Sequence, residues 1–428
     1  MRFFCHRNQH PVGQGYFHSA ILRGEKIVRY VYDCGAMAKY AKSRDAAIDN
    51  YVSSPECGSE LDVIFISHAH ADHLNGFERL LSAKRKISVD TIMMPLLTVE
   101  DRLVAYSRAV AEDEKSTMNA FYRDFIVDPA SALGRFQPRR IIFVRRGGSD
   151  GAPYSRGADT PPDRNDDDNM RLIDFEKVPW KFVGKGKVDC IINASTEKSS
   201  SDVLVMDDTL GLVVRLDVHL NWLLAPYVDV AVKKTSAIFV RNLAKNLSVS
   251  LAVLKKKLKD TEYIKHLVLE KTSELRNAYA SIAADLNVTS MCLYSGPTSV
   301  MNALHHEYAC RYGQWHSNIE DGARVAWLGT GDSALASSTR RATFLRHYNN
   351  LLNCVITLGL PHHGSDHNFH PALLKQIEPL FCVASADKYS KWRHPGTSVV
   401  QEVASAGCFV SVVTSHPASR MVESIQMS

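Results

Sequence analysis

Short apolar runs alternate along this chain with polar turns and with longer stretches of helical period. Gly13-Gln14-Gly15 reads as a turn and Tyr16 to Leu22 as a strand; Gly24-Glu25-Lys26 then forms a hairpin loop before the return strand Ile27 to Tyr32. That strand ends at Asp33-Cys34-Gly35, and the pattern predicts a helix from Ala36 to Ser53. Leu61 to Ile66 is a short apolar run of β-branched character, which predicts a buried strand, and Asn75 to Leu81 has helical spacing. Helical periodicity with many charges covers 98–135, and Arg145 to Asn169, rich in Gly, Pro, Asp and Ser, predicts an exposed loop.

Strand-like runs return from Val188 to Val232. The segment 233–286 is helical in pattern, with Leu251, Leu254, Leu258 and Leu267 set among lysines. Strands are predicted over Val288 to Tyr294, Arg324 to Leu328, Asn353 to Leu358 and Leu380 to Ser385. A helix from Thr397 to Ala406 then leads into a last strand, Phe409 to Thr414. No repeat and no linker divides the chain, so a single α/β domain over 1–428 is expected, with insertions at about 98–187 and about 233–286.

A hydrophobic share of 45% over 428 residues is enough for one large core. The net charge of +5 is too small to argue by itself for a nucleic-acid partner. Nine scattered cysteines, with no C-x-x-C pair, exclude a disulfide framework and a cysteine zinc finger. No uncharged apolar window of about 20 residues is present, and the first residues lack the apolar stretch of a signal peptide. The expectation is a soluble, cytoplasmic protein with no membrane association.

The candidate chemistry starts at His68-Ala69-His70-Ala71-Asp72-His73, directly after the predicted strand Leu61 to Ile66. Alternate residues of an extended segment point the same way, so His68 and His70 can reach one metal; Asp72 and His73, at the turn into a helix, can reach a second. Imidazole and carboxylate suit zinc, iron or manganese. Three histidines and an aspartate in six residues are poorly explained as packing, because buried polar groups without partners are costly. The remaining ligands must come from other strand ends. Asp332 follows Gly329-Thr330-Gly331, His362 and His363 precede Gly364, and His394 precedes Pro395. Lys255, Lys256, Lys257 and Lys259 form a basic cluster that is either a solvated helix face or a phosphate-backbone contact.

The order H-x-H-x-D-H, T-G-D, P-H-H-G-S and H-P, after a V-G-Q-G and D-x-G opening, resembles the metallo-β-lactamase superfamily. It resembles in particular the branch that holds the cytoplasmic hydrolase domain of the bacterial DNA-uptake channel protein and the phosphorylcholine esterases. The motifs run in order through nearly the whole chain; Tyr16 stands where that branch usually has an aspartate. The resemblance implies a four-layer αββα sandwich with the metals at one edge of the two sheets. Superfamily members often place a further histidine before the aspartate, for which His219, His266, His305, His306 and His316 are candidates; the resemblance to this branch implies histidines after it instead, which suits His363 and His394.

The expected activity is that of a metal-dependent hydrolase with two divalent ions, zinc or manganese, and a bridging hydroxide. Its metal ligands would be His68, His70, Asp72, His73, Asp332, His363 and His394. Asp72 orients the nucleophile, and His362 binds a phosphoryl oxygen or protonates the leaving group. Which of His362 and His363 is the ligand stays open. A phosphodiesterase or nuclease on DNA or RNA is expected. Alternatives are hydrolysis of a small phosphoester, lactone or amide, and a subunit acting within a larger protein assembly.

Overall fold

The computed structural model describes residues 3–148, 151–153, 178–190, 201–216, 220–230, 233–282, 289–298, 303–310, 313–317 and 324–427. Most of the loop expected at Arg145 to Asn169, and the candidate His219, lie outside the described residues, as do the side chains of His305 and His316.

The chain opens with β1 (Phe3–Gln9), β2 (Gly15–Arg23) and β3 (Ile27–Ala36), an antiparallel meander. Helix α1 (Ala41–Val52) leads to β4 (Glu60–Phe65), and the short helices α2 (Ala71–Leu74) and α3 (Phe77–Leu80) to β5 (Ser88–Pro95). Helices α4 (Val99–Asp113), α5 (Ala120–Val127) and α6 (Pro129–Gly134) then cross over to β6 (Arg140–Arg145), parallel to β5. Next come β7 (Trp180–Gly184), β8 (Val188–Cys190), β9 (Asp202–Asp207), β10 (Leu210–Arg215) and β11 (Asn221–Asp229).

Four helices follow: α7 (Lys233–Asn246), α8 (Leu251–Lys257), α9 (Thr261–Glu270) and α10 (Thr272–Ala280). After them come β12 (Ser290–Pro297), β13 (Ala303–Cys310), β14 (Gly313–Ser317) and β15 (Ala326–Gly329). The chain closes through α11 (Ser338–His347), β16 (Val355–Gly359), α12 (Ala372–Ile377), β17 (Phe381–Ser385), α13 (Thr397–Ser405), β18 (Phe409–Val413) and β19 (Met421–Met427).

The strands form two mixed sheets. The first runs β14-β13-β19-β1-β2-β3-β4-β5-β6-β9-β8 and the second β18-β17-β16-β15-β12-β11-β10-β7. Alternation along each strand sorts side chains to two faces. Tyr30, Val63, Met93 and Ile142 of the first sheet meet Leu212, Trp222, Met291 and Trp327 of the second in one buried layer. The opposite face of the first sheet, with Val31, Ile64, Ile92 and Ile141, is covered by Ile48, Leu103, Phe121, Phe239 and Leu275 from the helices. The outer face of the second sheet, with Tyr227, Tyr294 and Leu328, is covered by Phe344, Leu373 and Val399. Helix, sheet, sheet and helix thus stack in four layers, an α/β sandwich with the αββα order the sequence motifs imply.

Local departures from the sequence expectation have physical causes. The strand expected to end at Tyr32 runs on to Ala36, because Gly35 and Ala36 pair with Tyr16 and Gly15; the helix therefore begins only at Ala41. The helix expected over Asn75 to Leu81 is replaced by α2 and α3, broken where the Gly76 amide donates to the Cys34 carbonyl at 2.9 Å. The pairing of β1 with β19 joins the two ends of the chain, a long-range contact that no local pattern reveals. The segment 233–282 forms four helices between the antiparallel neighbours β11 and β12, and α10 packs on α4 and α7. The eight described cysteines form no disulfide, and no single described helix is long and apolar enough to cross a membrane.

One buried ion pair ties the sheets together. Arg7 and Glu423, register partners on β1 and β19, are both fully buried and 2.8 Å apart, and Arg7 Nη2 donates to the Val325 carbonyl beside the second sheet. Removing one member leaves the other charge buried without its partner. Arg7→Met is expected to lower unfolding free energy by about 3–5 kcal/mol, read from urea denaturation; a loss below about 1 kcal/mol would contradict that role.

Candidate metal centre

The site forms where strand ends of both sheets meet. His68, His70, Asp72 and His73 follow β4, Asp332 follows β15, and His362 and His363 follow β16. The Asp332 carboxylate lies at the middle. Its Oδ2 is 3.3 Å from His68 Nε2, 3.6 Å from His70 Nδ1 and 3.5 Å from His362 Nε2. Its Oδ1 is 3.7 Å from His73 Nε2 and 3.9 Å from His363 Nε2. Asp72 Oδ2 completes the second group, 4.0 Å from His73 Nε2 and 3.6 Å from His363 Nε2. The ligand atoms of His68, His73 and Asp332 all lie within 4.8 Å of one another, as do those of Asp72, His73 and His363.

Hydrogen bonds behind the cluster orient the imidazoles. Ser67 Oγ donates to Asp33 Oδ2 at 2.6 Å and so accepts from His68 Nδ1 at 2.8 Å, leaving the His68 Nε2 lone pair aimed at Asp332. His73 Nδ1 donates to Asp33 Oδ2 at 2.8 Å, His362 Nδ1 to Asn368 Oδ1 at 2.9 Å, and His363 Nδ1 to the Ser385 carbonyl at 2.8 Å. Each partner selects the tautomer whose Nε2 faces the carboxylates, the orientation a metal ligand requires. His68 Nε2, His73 Nε2 and Asp332 Oδ1 are buried with no hydrogen-bond partner. Convergent orphan acceptors of this kind fit a divalent cation, and the histidine–aspartate donor set suits zinc or manganese.

The backbone is shaped to the task. Asp33 is the unpaired residue of a β-bulge against β2, with φ 58°, and the bulge turns its carboxylate toward Ser67 and His73. Asp is one of the few non-glycine residues that visits this region readily. A Cβ on Gly35 would lie 2.6 Å from the Asp72 carbonyl carbon, so this glycine lets the helix carrying Asp72 approach β3. His362 and His363 are consecutive left-handed residues, with φ 49° and 58°. Such conformations cost about 1–3 kcal/mol each and collect at functional sites.

Electrostatics follow from burial and from the carboxylates. Burial holds His68 below its ordinary value, and pushes His70 down to about 3 and His362 to about 4, so these imidazoles are neutral and free to ligate. Burial acts the same way on His73, but Asp33, Asp72 and Asp332 outweigh it and raise this group to about 9. Burial opposes ionisation of Asp332 too, yet the facing imidazoles, His362 first, hold it well below the usual carboxylate range. The cluster therefore attracts positive charge strongly.

The histidine–aspartate motifs thus converge, with His362 on one side of Asp332 and His363 on the other. His394 stands at the rim, its ring 5.5 Å from that of His362 and 6.4 Å from that of His363. His306 is elsewhere, bonded to Glu423 at 2.8 Å, and His266 lies on α9 beside Tyr263. Lys255, Lys256 and Lys257 end α8; Lys255 and Lys259 line a groove with Val99 and Arg102 at the start of α4, apart from the metal cluster. No described residue of 233–282 lines the metal cleft.

Sequence reasoning missed the parts of the site that carry no motif. Gln14, Arg108, Glu112, Asp113, Ser116 and Trp392 line the cleft with the ligands, and only Gln14 sat within a recognised motif. The accessible cavity is narrow, about 30 Å³, room for about two waters.

No family model matches the sequence, and no curated protein matches it. A solved structure described as the crystal structure of a long form RNase Z from yeast overlaps 83% of this chain at 8% identity and a TM-score of 0.28. The chain spans only 32% of that protein, and so loose an overlap does not decide the family.

Asp33 is not itself a candidate ligand, yet it orients two of the histidines, His73 directly and His68 through Ser67. Asp33→Ala is expected to weaken metal affinity by about 10–100-fold, measured by competition with a chromophoric chelator. An unchanged affinity would show that the imidazoles are held without it.

Proposed function

We propose that this chain is a metal-dependent hydrolase with a dinuclear centre on Asp332, acting on phosphodiesters, with DNA or RNA as the natural substrate. The observation that carries the reading is the placement of Asp332 between two sets of imidazoles, three on Oδ2 and two on Oδ1. Two divalent cations, zinc or manganese, when bound supply Lewis acidity and lower the pKa of a coordinated water. The chain's own groups do the rest. Asp72, 19% exposed and on the cleft, holds the second group of ligands and orients the nucleophile. His362, whose Nε2 lies 3.5 Å from Asp332 Oδ2 on the cleft wall, joins His68 and His70 as a ligand of the first group rather than meeting a phosphoryl oxygen. Met37, Ala71, Ala109 and Trp392 limit water in the cleft, which strengthens every charge interaction inside it.

The motif resemblance supports a phosphoester substrate, and the exposed lysines of α8 supply a surface for a phosphate backbone. A cytoplasmic location is part of the same reading. The narrow cleft favours a second one, hydrolysis of a small phosphoester, lactone or amide. A third, action within a larger protein assembly, draws on the exposed Leu251, Val253 and Leu269 of α8 and α9.

Asp72→Ala is expected to lower turnover of bis-p-nitrophenyl phosphate by about 10²–10⁴-fold. Reversing Lys255, Lys256, Lys257 and Lys259 to glutamate is expected to weaken polynucleotide binding and flatten its salt dependence, while small-substrate turnover stays the same. Wild-type protein that opens lactones but cleaves no phosphodiester with any added metal would overturn the phosphodiesterase reading.

A further inference from the structure

Helix α4 carries one residue that the metal cluster does not explain. Arg108 is the only lysine or arginine among the described residues lining the cleft, and its side chain is 13% exposed. Its Nε donates to both oxygens of Glu112, at 2.9 and 3.0 Å, one helical turn further on. Its Nη2 lies 3.1 Å from His362 Nε2. Because His362 Nδ1 is committed to Asn368, Nε2 carries the lone pair that accepts from Arg108. The same lone pair points to within 3.5 Å of Asp332 Oδ2, into the group formed with His68 and His70.

His362 cannot serve both claimants. His68, His70, His362 and Asp332 would hold a cation through that lone pair, and Arg108 Nη2 would then lose its acceptor while its side chain stays largely covered. A donor left without an acceptor in such a largely covered place is unfavourable. Glu112 stays bonded through Nε and holds the guanidinium at the mouth of the cleft. The free edge of the planar fork then presents a donor beside the ligands, the geometry that matches a phosphoryl oxygen.

We propose that Arg108 is the substrate clamp of this cleft, binding a non-bridging phosphoryl oxygen once the cluster is loaded. The inference rests on the hydrolase reading of the same cluster and adds a specificity-determining residue from the α4 crossover. In the metal-free chain His362 parks the guanidinium; in the loaded chain the substrate's anionic oxygen replaces it as acceptor. Glu112 is a positioning residue that sets the reach of Arg108. The clamp selects for an anionic group next to the reacting centre and gives nothing to a neutral ester or lactone.

The test uses full-length protein loaded with zinc, and titrates inorganic phosphate by calorimetry into wild type, Arg108→Met and Arg108→Lys, with metal content measured on each. We expect two ions per chain in all three, phosphate affinity at least tenfold lower in Arg108→Met, and an intermediate loss in Arg108→Lys. KM for bis-p-nitrophenyl phosphate should rise by a similar factor in Arg108→Met, with little change for p-nitrophenyl acetate. Phosphate affinity within twofold of wild type in Arg108→Met overturns the clamp. If Arg108→Met does not fold, an unchanged affinity in Arg108→Lys overturns it instead. Equal losses for phosphate and acetate ion would also overturn it, replacing a phosphoryl clamp with a general anion site. Wild type that binds phosphate through Arg108 but hydrolyses no phosphodiester would sink the phosphodiesterase reading and leave the clamp standing.

Discussion

The Asp332 carboxylate touches both halves of the histidine cluster, and much of the surrounding architecture serves to place it. It leaves β15 through Gly331, whose φ of 51° turns the chain toward the first sheet, and its amide donates to Ser290 Oγ at 3.0 Å. Two residues on, the Ala334 amide donates to Asp229, itself paired with Arg340 at 2.7 Å. Five imidazoles then face one buried carboxylate, and the polar atoms left there without a hydrogen-bond partner favour binding of a cation. The two-sheet sandwich supplies what that demands: strand ends from both sheets, close together and rigid.

Behind the ligands the protein spends its unusual backbone. A bulged Asp33, two left-handed histidines and a glycine pressed against the Asp72 backbone are each locally unfavourable or restrictive. They come together around this cluster, where Asp33 fixes His73 directly and His68 through Ser67. The core between the sheets, built from aromatic and β-branched residues, holds these strained elements in place.

Much of this was legible in the sequence, for a physical reason. Metal ligation needs particular side chains at strand ends with short spacing, so His68 to His73, Asp332 and the His362–His363 pair declare themselves. The four-layer order was implied by the motif resemblance, while the alternation of apolar runs and helical periods gave only the mix of strands and helices. What stayed hidden depends on long-range contact. The pairing of β1 with β19 joins residues more than 400 positions apart, and no window of sequence contains both. Arg108 sits in a charged helical stretch where arginine is ordinary, and only the packing of α4 over the cleft sets it apart. The lysines of α8 were visible but belong to a different groove. His394 was expected among the ligands, and its ring lies against those of His362 and His363.

The proposed dinuclear centre would place one cation on either side of Asp332, and anomalous diffraction from crystals of the zinc-loaded protein tests that directly. The expected result is two zinc peaks per chain on either side of the Asp332 carboxylate, one coordinated by His68, His70 and His362 and the other by Asp72, His73 and His363. A single peak, or two peaks of which neither contacts Asp332, would contradict it.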